Sequence, residues 1–192
     1  MPLFLKNKIV FIHIPKTGGS SIQHVLNTTG DIAVFYCGQA KLNNVPPQHM
    51  PLSALYELNL VPDDFRIITV IRHPYERVIS AYNYLQASRI YAEGKDINNL
   101  QDFITQFFSD QTWSGHNRSC FSLLNVNGAI PEKVEIIEFH NLGKEFNEKT
   151  GLIARHDIKN KRCATLDDLT PSMKNIIQDK WREDFEYFKY LK

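Results

Sequence analysis

A lysine, a threonine, two glycines and two serines follow one another in FIHIPKTGGSSI, the stretch from Phe11 to Ile22. Lys16, Thr17, Gly18, Gly19, Ser20 and Ser21 are residue types that hold an anion. The ammonium supplies charge, the hydroxyls donate, and the glycines let backbone N–H groups approach a ligand closely. A second cationic stretch, RIITVIRHPYERVISAYNY, runs from Arg66 to Tyr84 and carries Arg72, Arg77 and Ser80. Two separate phosphate-like guests are the chemistry this pair suits. Moving a group onto a hydroxyl would also need a base, and the chain has 7 histidines to offer.

Both stretches read as strand, tight loop and helix. Ile9 to Ile14 is a short apolar run bounded by Pro15, and Ile22, Val25 and Leu26 then recur at helical spacing. The start of that helix turns N–H groups and the positive end of a dipole toward the loop. In the second stretch, Ile67 to Ile71 is the strand, Pro74 suits a first helical turn, and Tyr75, Val78, Ile79 and Tyr82 form an apolar stripe. Arg72 falls at the strand's carboxyl end, where open α/β sheets collect ligands, and Ser80 lies away from the stripe, so the two can meet one phosphate. Lys16 precedes Gly18 and Gly19 instead of following the second glycine, so the ordinary nucleotide P-loop pattern fails. A glycine-rich turn with an exposed lysine is the plainer alternative for the first stretch.

PKTGGSS followed by IRHPYERVISAY resembles the paired 5′-phosphosulfate and 3′-phosphate motifs of the sulfotransferases that use 3′-phosphoadenosine-5′-phosphosulfate (PAPS). Within that superfamily the chain is most similar to the Golgi-type carbohydrate sulfotransferases, including the heparan and dermatan uronyl 2-O-sulfotransferases and their bacterial relatives. WREDFEYFKYL near the end resembles the family's C-terminal helix.

The resemblance implies a PAPS donor, with adenosine 3′,5′-bisphosphate (PAP) as product, and an acceptor hydroxyl on a saccharide or glycoconjugate. It assigns Lys16 to the leaving phosphate and the transferring sulfonate, residues Thr17 through Ser21 to the 5′-phosphate, and Arg72 with Ser80 to the 3′-phosphate. His49, in VPPQHMPLSAL, occupies the place of the family's general base; a surface-loop histidine is its plainer reading. His116 and Arg118, in WSGHNRSC, resemble a loop near the active site and are candidate acceptor contacts, with a polar surface loop as the equal alternative. His13 is expected to be structural, and Arg77 either assists the cofactor or pairs with Glu76 or another carboxylate. No metal is expected, because lysine and the loop dipoles take the part magnesium plays in kinases. His73 stands where the family frequently has Asp, and no extended basic stretch marks a groove for a long anionic glycan. A small-molecule kinase with an atypical P-loop and a non-catalytic adenosine-bisphosphate-binding module are the alternative functions.

Composition fits one α/β domain over residues 1–192. The 192 residues are 43% hydrophobic with a net charge of +1, enough for one core and without general attraction to nucleic acid. Cys37, Cys120 and Cys163 form neither a metal pattern nor a complete disulfide framework. The N-terminus lacks a long apolar span or a small-residue cleavage site, so no transmembrane segment and a cytoplasmic location are expected. Further elements are a strand over Ile32 to Tyr36, a short helix over Leu52 to Leu58, and a helix through Leu100, Phe103, Ile104, Phe107 and Phe108. A strand Val134 to Phe139 precedes a helix through Leu142 and Phe146 that stops near Gly151, and Thr170 caps a last helix begun by Pro171. Alternating strands and helices predict a central parallel sheet flanked by helices, with a P-loop-like phosphosulfate-binding loop.

Overall fold

A computed structural model describes residues 3–31, 33–34, 47–88, 97–109, 115–154 and 163–190. The chain divides into two compact units, Met1–Arg72 with Cys120–Asp157 and His73–Ser119 with Ile158–Lys192.

The first unit holds the sheet. Its strands are β1 (Leu3–Phe4), β2 (Ile9–Ile12), β3 (Ala33–Val34), β4 (Arg66–Ile71) and β5 (Val134–Glu138), in the spatial order β3-β1-β2-β4-β5. The longer ladders are parallel: Ile12 lies opposite Thr69 between β2 and β4, and Ile71 opposite Glu138 between β4 and β5. The expected α/β class with a mostly parallel sheet therefore holds. β1 adds antiparallel pairs to β2 and β3 at one edge. Of the strand expected over Ile32 to Tyr36, Ala33–Val34 is present; the flanking positions and Cys37 lie outside the described residues.

β2 is buried along its whole length and β4 beyond Arg66, which is why both appear in the sequence as unbroken apolar runs without alternation. Helices α1 (Gly19–Thr28), α2 (Leu52–Glu57), α5 (Cys120–Leu124) and α6 (Leu142–Thr150) belong to the same unit. Ile22 and Leu26 of α1 and Leu142 and Phe146 of α6 join Phe11, Ile68, Val70 and Ile137 of the strands in one core. α6 ends as expected at Gly151, whose φ of 72° gives the left-handed cap that a side chain would disfavour.

The second unit is helical: α3 (Pro74–Ser88), α4 (Leu100–Ser109), α7 (Pro171–Lys180) and α8 (Arg182–Phe188). The stripe read from the sequence of α4 is core, with Phe103, Ile104 and Phe107 packed among Val78, Leu85, Met173, Ile177 and Trp181. Thr170 caps α7 as expected, its Oγ1 accepting from the Met173 N–H at 3.3 Å ahead of Pro171. No helix among the described residues is long and apolar enough to cross a membrane.

Candidate active site

The parallel order explains why residues far apart in sequence converge. β2, β4 and β5 lie side by side and point the same way, so the segments leaving them emerge at one edge of the sheet. Those segments are His13 to Gly18 after β2, Arg72 after β4 and Phe139 after β5. The Arg72 guanidinium stacks on the Phe139 ring, 3.9 Å from its centroid, and its Nη1 reaches the Lys16 carbonyl at 3.5 Å. Burial, with the nearby positive charge of Arg72 as the lesser cause, lowers the Lys16 ammonium from 10.5 to about 8.

Lys16 has a φ of 66°, a left-handed backbone that costs an L-residue about 1–2 kcal/mol. Gly18, at φ 86°, sits in the N-cap position of α1, whose first turn carries no acidic side chain. The N–H end of a ten-residue helix thus follows directly on the lysine. Ser20 is exposed and Ser21 half-buried, while Thr17 is fully buried with its hydroxyl donating to the Ile14 carbonyl at 2.9 Å. That hydroxyl braces the loop from inside.

Gly19 has a different duty from Gly18. A Cβ there would lie 2.2 Å from His13 Cδ2 and 2.4 Å from Nε2, so the glycine makes room for a side chain of the protein itself. The buried His13 ring in turn meets the His49 ring edge-on, with centroids 4.8 Å apart. Gly19→Ala is expected to displace His13, to lower stability in urea unfolding by about 1–3 kcal/mol through overpacking, and to move the His49 imidazole resonances. Unchanged stability with unchanged resonances would show that the close approach is dispensable.

His49 closes a one-turn 3₁₀ helix, Pro47–His49, just ahead of α2, and is only 4% exposed. Its Nδ1 lies 2.9 Å from the His13 carbonyl. A carbonyl oxygen only accepts, so Nδ1 carries hydrogen, and in the neutral ring Nε2 holds the lone pair. The side-chain nitrogen of Gln48 lies 3.2 Å from that Nε2. His49 is buried and oriented, unlike the surface-loop histidine of its plainer reading.

The first unit therefore brings Lys16, Thr17, Gly18, Gly19 and Arg72 to one region, with His49 tied to it through His13. Ser80, His116 and Arg118 belong to the second unit. Ser80 is half-buried on α3, and His116 and Arg118 occupy a turn closed by the Arg118 N–H on the Gly115 carbonyl at 3.2 Å. Burial lowers the Arg118 pKa. Arg77, only 1% exposed, faces Asp184 at 3.7 Å, lies over Trp181 at 4.2 Å, and donates to the His116 and Arg118 carbonyls at 3.3 and 2.9 Å. Its carboxylate partner is thus Asp184, and it holds the turn on which His116 and Arg118 stand. Nothing in the sequence marked Asp184 for this role. His73 caps α3 with its Nδ1, which accepts from the Tyr75 N–H at 3.3 Å, a task an aspartate does equally well. No group of His, Cys, Asp and Glu among the described residues has the arrangement of a metal site.

A lysine in a strained loop, a helix N-terminus and a stacked arginine lie together at the carboxyl ends of parallel strands, an arrangement able to hold an anionic group. The family model described as the sulfotransferase family matches residues 4–191, and the chain belongs to that family, which includes the Golgi-type carbohydrate sulfotransferases. It is accordingly a transferase of sulfonyl groups, acting between a sulfonate donor and a hydroxyl-bearing acceptor. The match spans both compact units. No curated protein and no solved structure matches the chain.

Proposed function

We propose that the chain moves a sulfonate from PAPS to a hydroxyl on a carbohydrate, by in-line attack with His49 as general base. The observation that carries this reading is the convergence of the Lys16 loop and Arg72 at neighbouring strand ends. The acceptor oxygen bonds to sulfur while the bond from sulfur to the bridging phosphate oxygen breaks. Its proton passes to His49 Nε2, the ring nitrogen the His13 carbonyl leaves unprotonated. Lys16 meets the charge that grows on the bridging oxygen, and backbone N–H groups from Thr17 to Ser21 take the 5′-phosphate. Arg72, rigid on Phe139, takes the 3′-phosphate and so separates this donor from ATP. The Ser80 hydroxyl is the further 3′-phosphate ligand the resemblance assigns, and His116 and Arg118 are its acceptor contacts.

Titration calorimetry with PAP, beside ATP and AMP and with chelator present, tests the donor assignment. Selective binding of PAP is expected. An anion beside Lys16 raises its pKa back from about 8, so binding at pH 8 takes up protons and affinity falls as pH rises further. The phosphates, whose second pKa is near 6, are already ionised there and do not mask the effect. Measured in buffers of different ionisation enthalpy, the heat will reveal that uptake. A preference for magnesium-ATP would remove PAP from the reading, and PAP binding without proton uptake would remove Lys16.

A further inference from the structure

Gln48 stands beside the basic nitrogen of His49. The ring is held from the other side by the His13 carbonyl on Nδ1, and the His13 ring faces it edge-on at 4.8 Å as a titratable neighbour. In the neutral state Nε2 is an acceptor, and the Gln48 carboxamide nitrogen donates to it at 3.2 Å. Once Nε2 takes a proton it becomes a donor, and an amide N–H opposite it becomes a clash of two donors. A carboxamide has a remedy: a half-turn exchanges its donor end for an acceptor end of nearly the same shape. Gln48 is half-buried, next to a histidine that is only 4% exposed, so the amide has room that the imidazole lacks.

We infer that Gln48 is a positioning residue that follows the proton of His49, donating to Nε2 when the ring is neutral and accepting from it, after a half-turn, when the ring is charged. This rests on His49 being the base only where turnover is concerned; the coupling of the two side chains stands on the geometry alone. In the reaction, the acceptor hydroxyl displaces the amide N–H from Nε2 and gives its proton to that nitrogen. When the sulfated product leaves, the Gln48 oxygen satisfies the imidazolium until the proton passes to water. Gln48 thereby keeps Nε2 in line through both halves of the cycle without becoming charged. A carboxylate at the same place would satisfy only the charged ring and hold on to the proton.

The test is nitrogen-15 spectroscopy of the His49 imidazole in the full chain, assigned with His49→Ala. The wild-type protein is expected to show the Nδ1–H tautomer at neutral pH. Gln48→Glu is expected to raise the His49 titration midpoint by about one pH unit, and Gln48→Met, which has neither a donor nor an acceptor of that strength, to broaden the tautomer preference without that rise. An Nε2–H tautomer in the wild type, or an unmoved midpoint in a Gln48→Glu protein that melts like the wild type, would overturn the inference. An Nε2–H tautomer in the wild type overturns the inference even should the variant fail to fold. A pH profile of PAP release from PAPS, with a mixture of neutral mono- and disaccharides as acceptor, separates the two claims. If the acid limb moves up with the midpoint in Gln48→Glu, both hold. If the midpoint moves and the limb does not, the coupling of Gln48 to His49 holds and His49 is not the base.

Discussion

Lys16→Ala will lower kcat by about two to three orders of magnitude, the usual loss when one preorganised charge donor is taken from a transition state. The ammonium is positioned by a backbone at φ 66° and partly stripped of water beside Arg72, so in the proposed reaction its field would reach the transferring group with little screening. Stability to urea will not fall in parallel. Alanine meets the same left-handed backbone cost, and the variant no longer has a desolvated ammonium to carry. PAP release during a single turnover, read beside a urea melt, distinguishes the two effects. Turnover near the wild-type level would exclude Lys16 from the chemistry, and a joint collapse of activity and stability would make it a structural residue.

The largest effect on stability is expected inside the second unit, where Arg77 and Asp184 are 1% and 0% exposed. Arg77→Met leaves the Asp184 carboxylate buried without its cation and deprives the His116 and Arg118 carbonyls of a donor. Breaking such a pair from one side costs about 3–5 kcal/mol, because a charge is left uncompensated away from water. Pairing that change with Asp184→Leu removes both charges together and is expected to recover most of the loss. A double-mutant cycle in urea reads the coupling directly. Additive losses would mean that the two side chains act independently, and Trp181 and the carbonyls would then account for the cost of losing Arg77.

Much of this architecture can be read from residue order, for identifiable reasons. Ile67 to Ile71 and Ile9 to Ile12 are strands buried on both faces, and such strands announce themselves as apolar runs. Thr170 with Pro171 and Gly151 mark helix ends through local chemistry, which needs no tertiary partner. Of the antiparallel edge, the strand over Ile32 to Tyr36 was legible in part, at Ala33–Val34, whereas Leu3–Phe4 was hidden because two residues are too few to show a period. Within the site, the lysine, the glycines and the arginine were legible as types at spacings. Their individual duties were not: Gly19 yields its space to His13, and the Thr17 hydroxyl turns inward. The orientation of His49 depends on a backbone carbonyl 36 positions away, and backbone partners leave no trace in side-chain identity. Asp184 was equally hidden, because one acidic residue among several in a charged helix looks like solvated surface until Arg77 is placed against it.

With Lys16 in the role proposed for it, its backbone sets the requirements of catalysis and of folding against each other at a single position. Glycine would relax that conformation, and asparagine would tolerate it better than lysine does. Variants at this position chosen only for resistance to heat would therefore drift toward those residues and lose the ammonium. Variants chosen for turnover would retain lysine and accept its conformational cost. Thermal robustness and chemical competence thus select different residues at position 16, so a stabilised version of this protein has to gain its stability elsewhere.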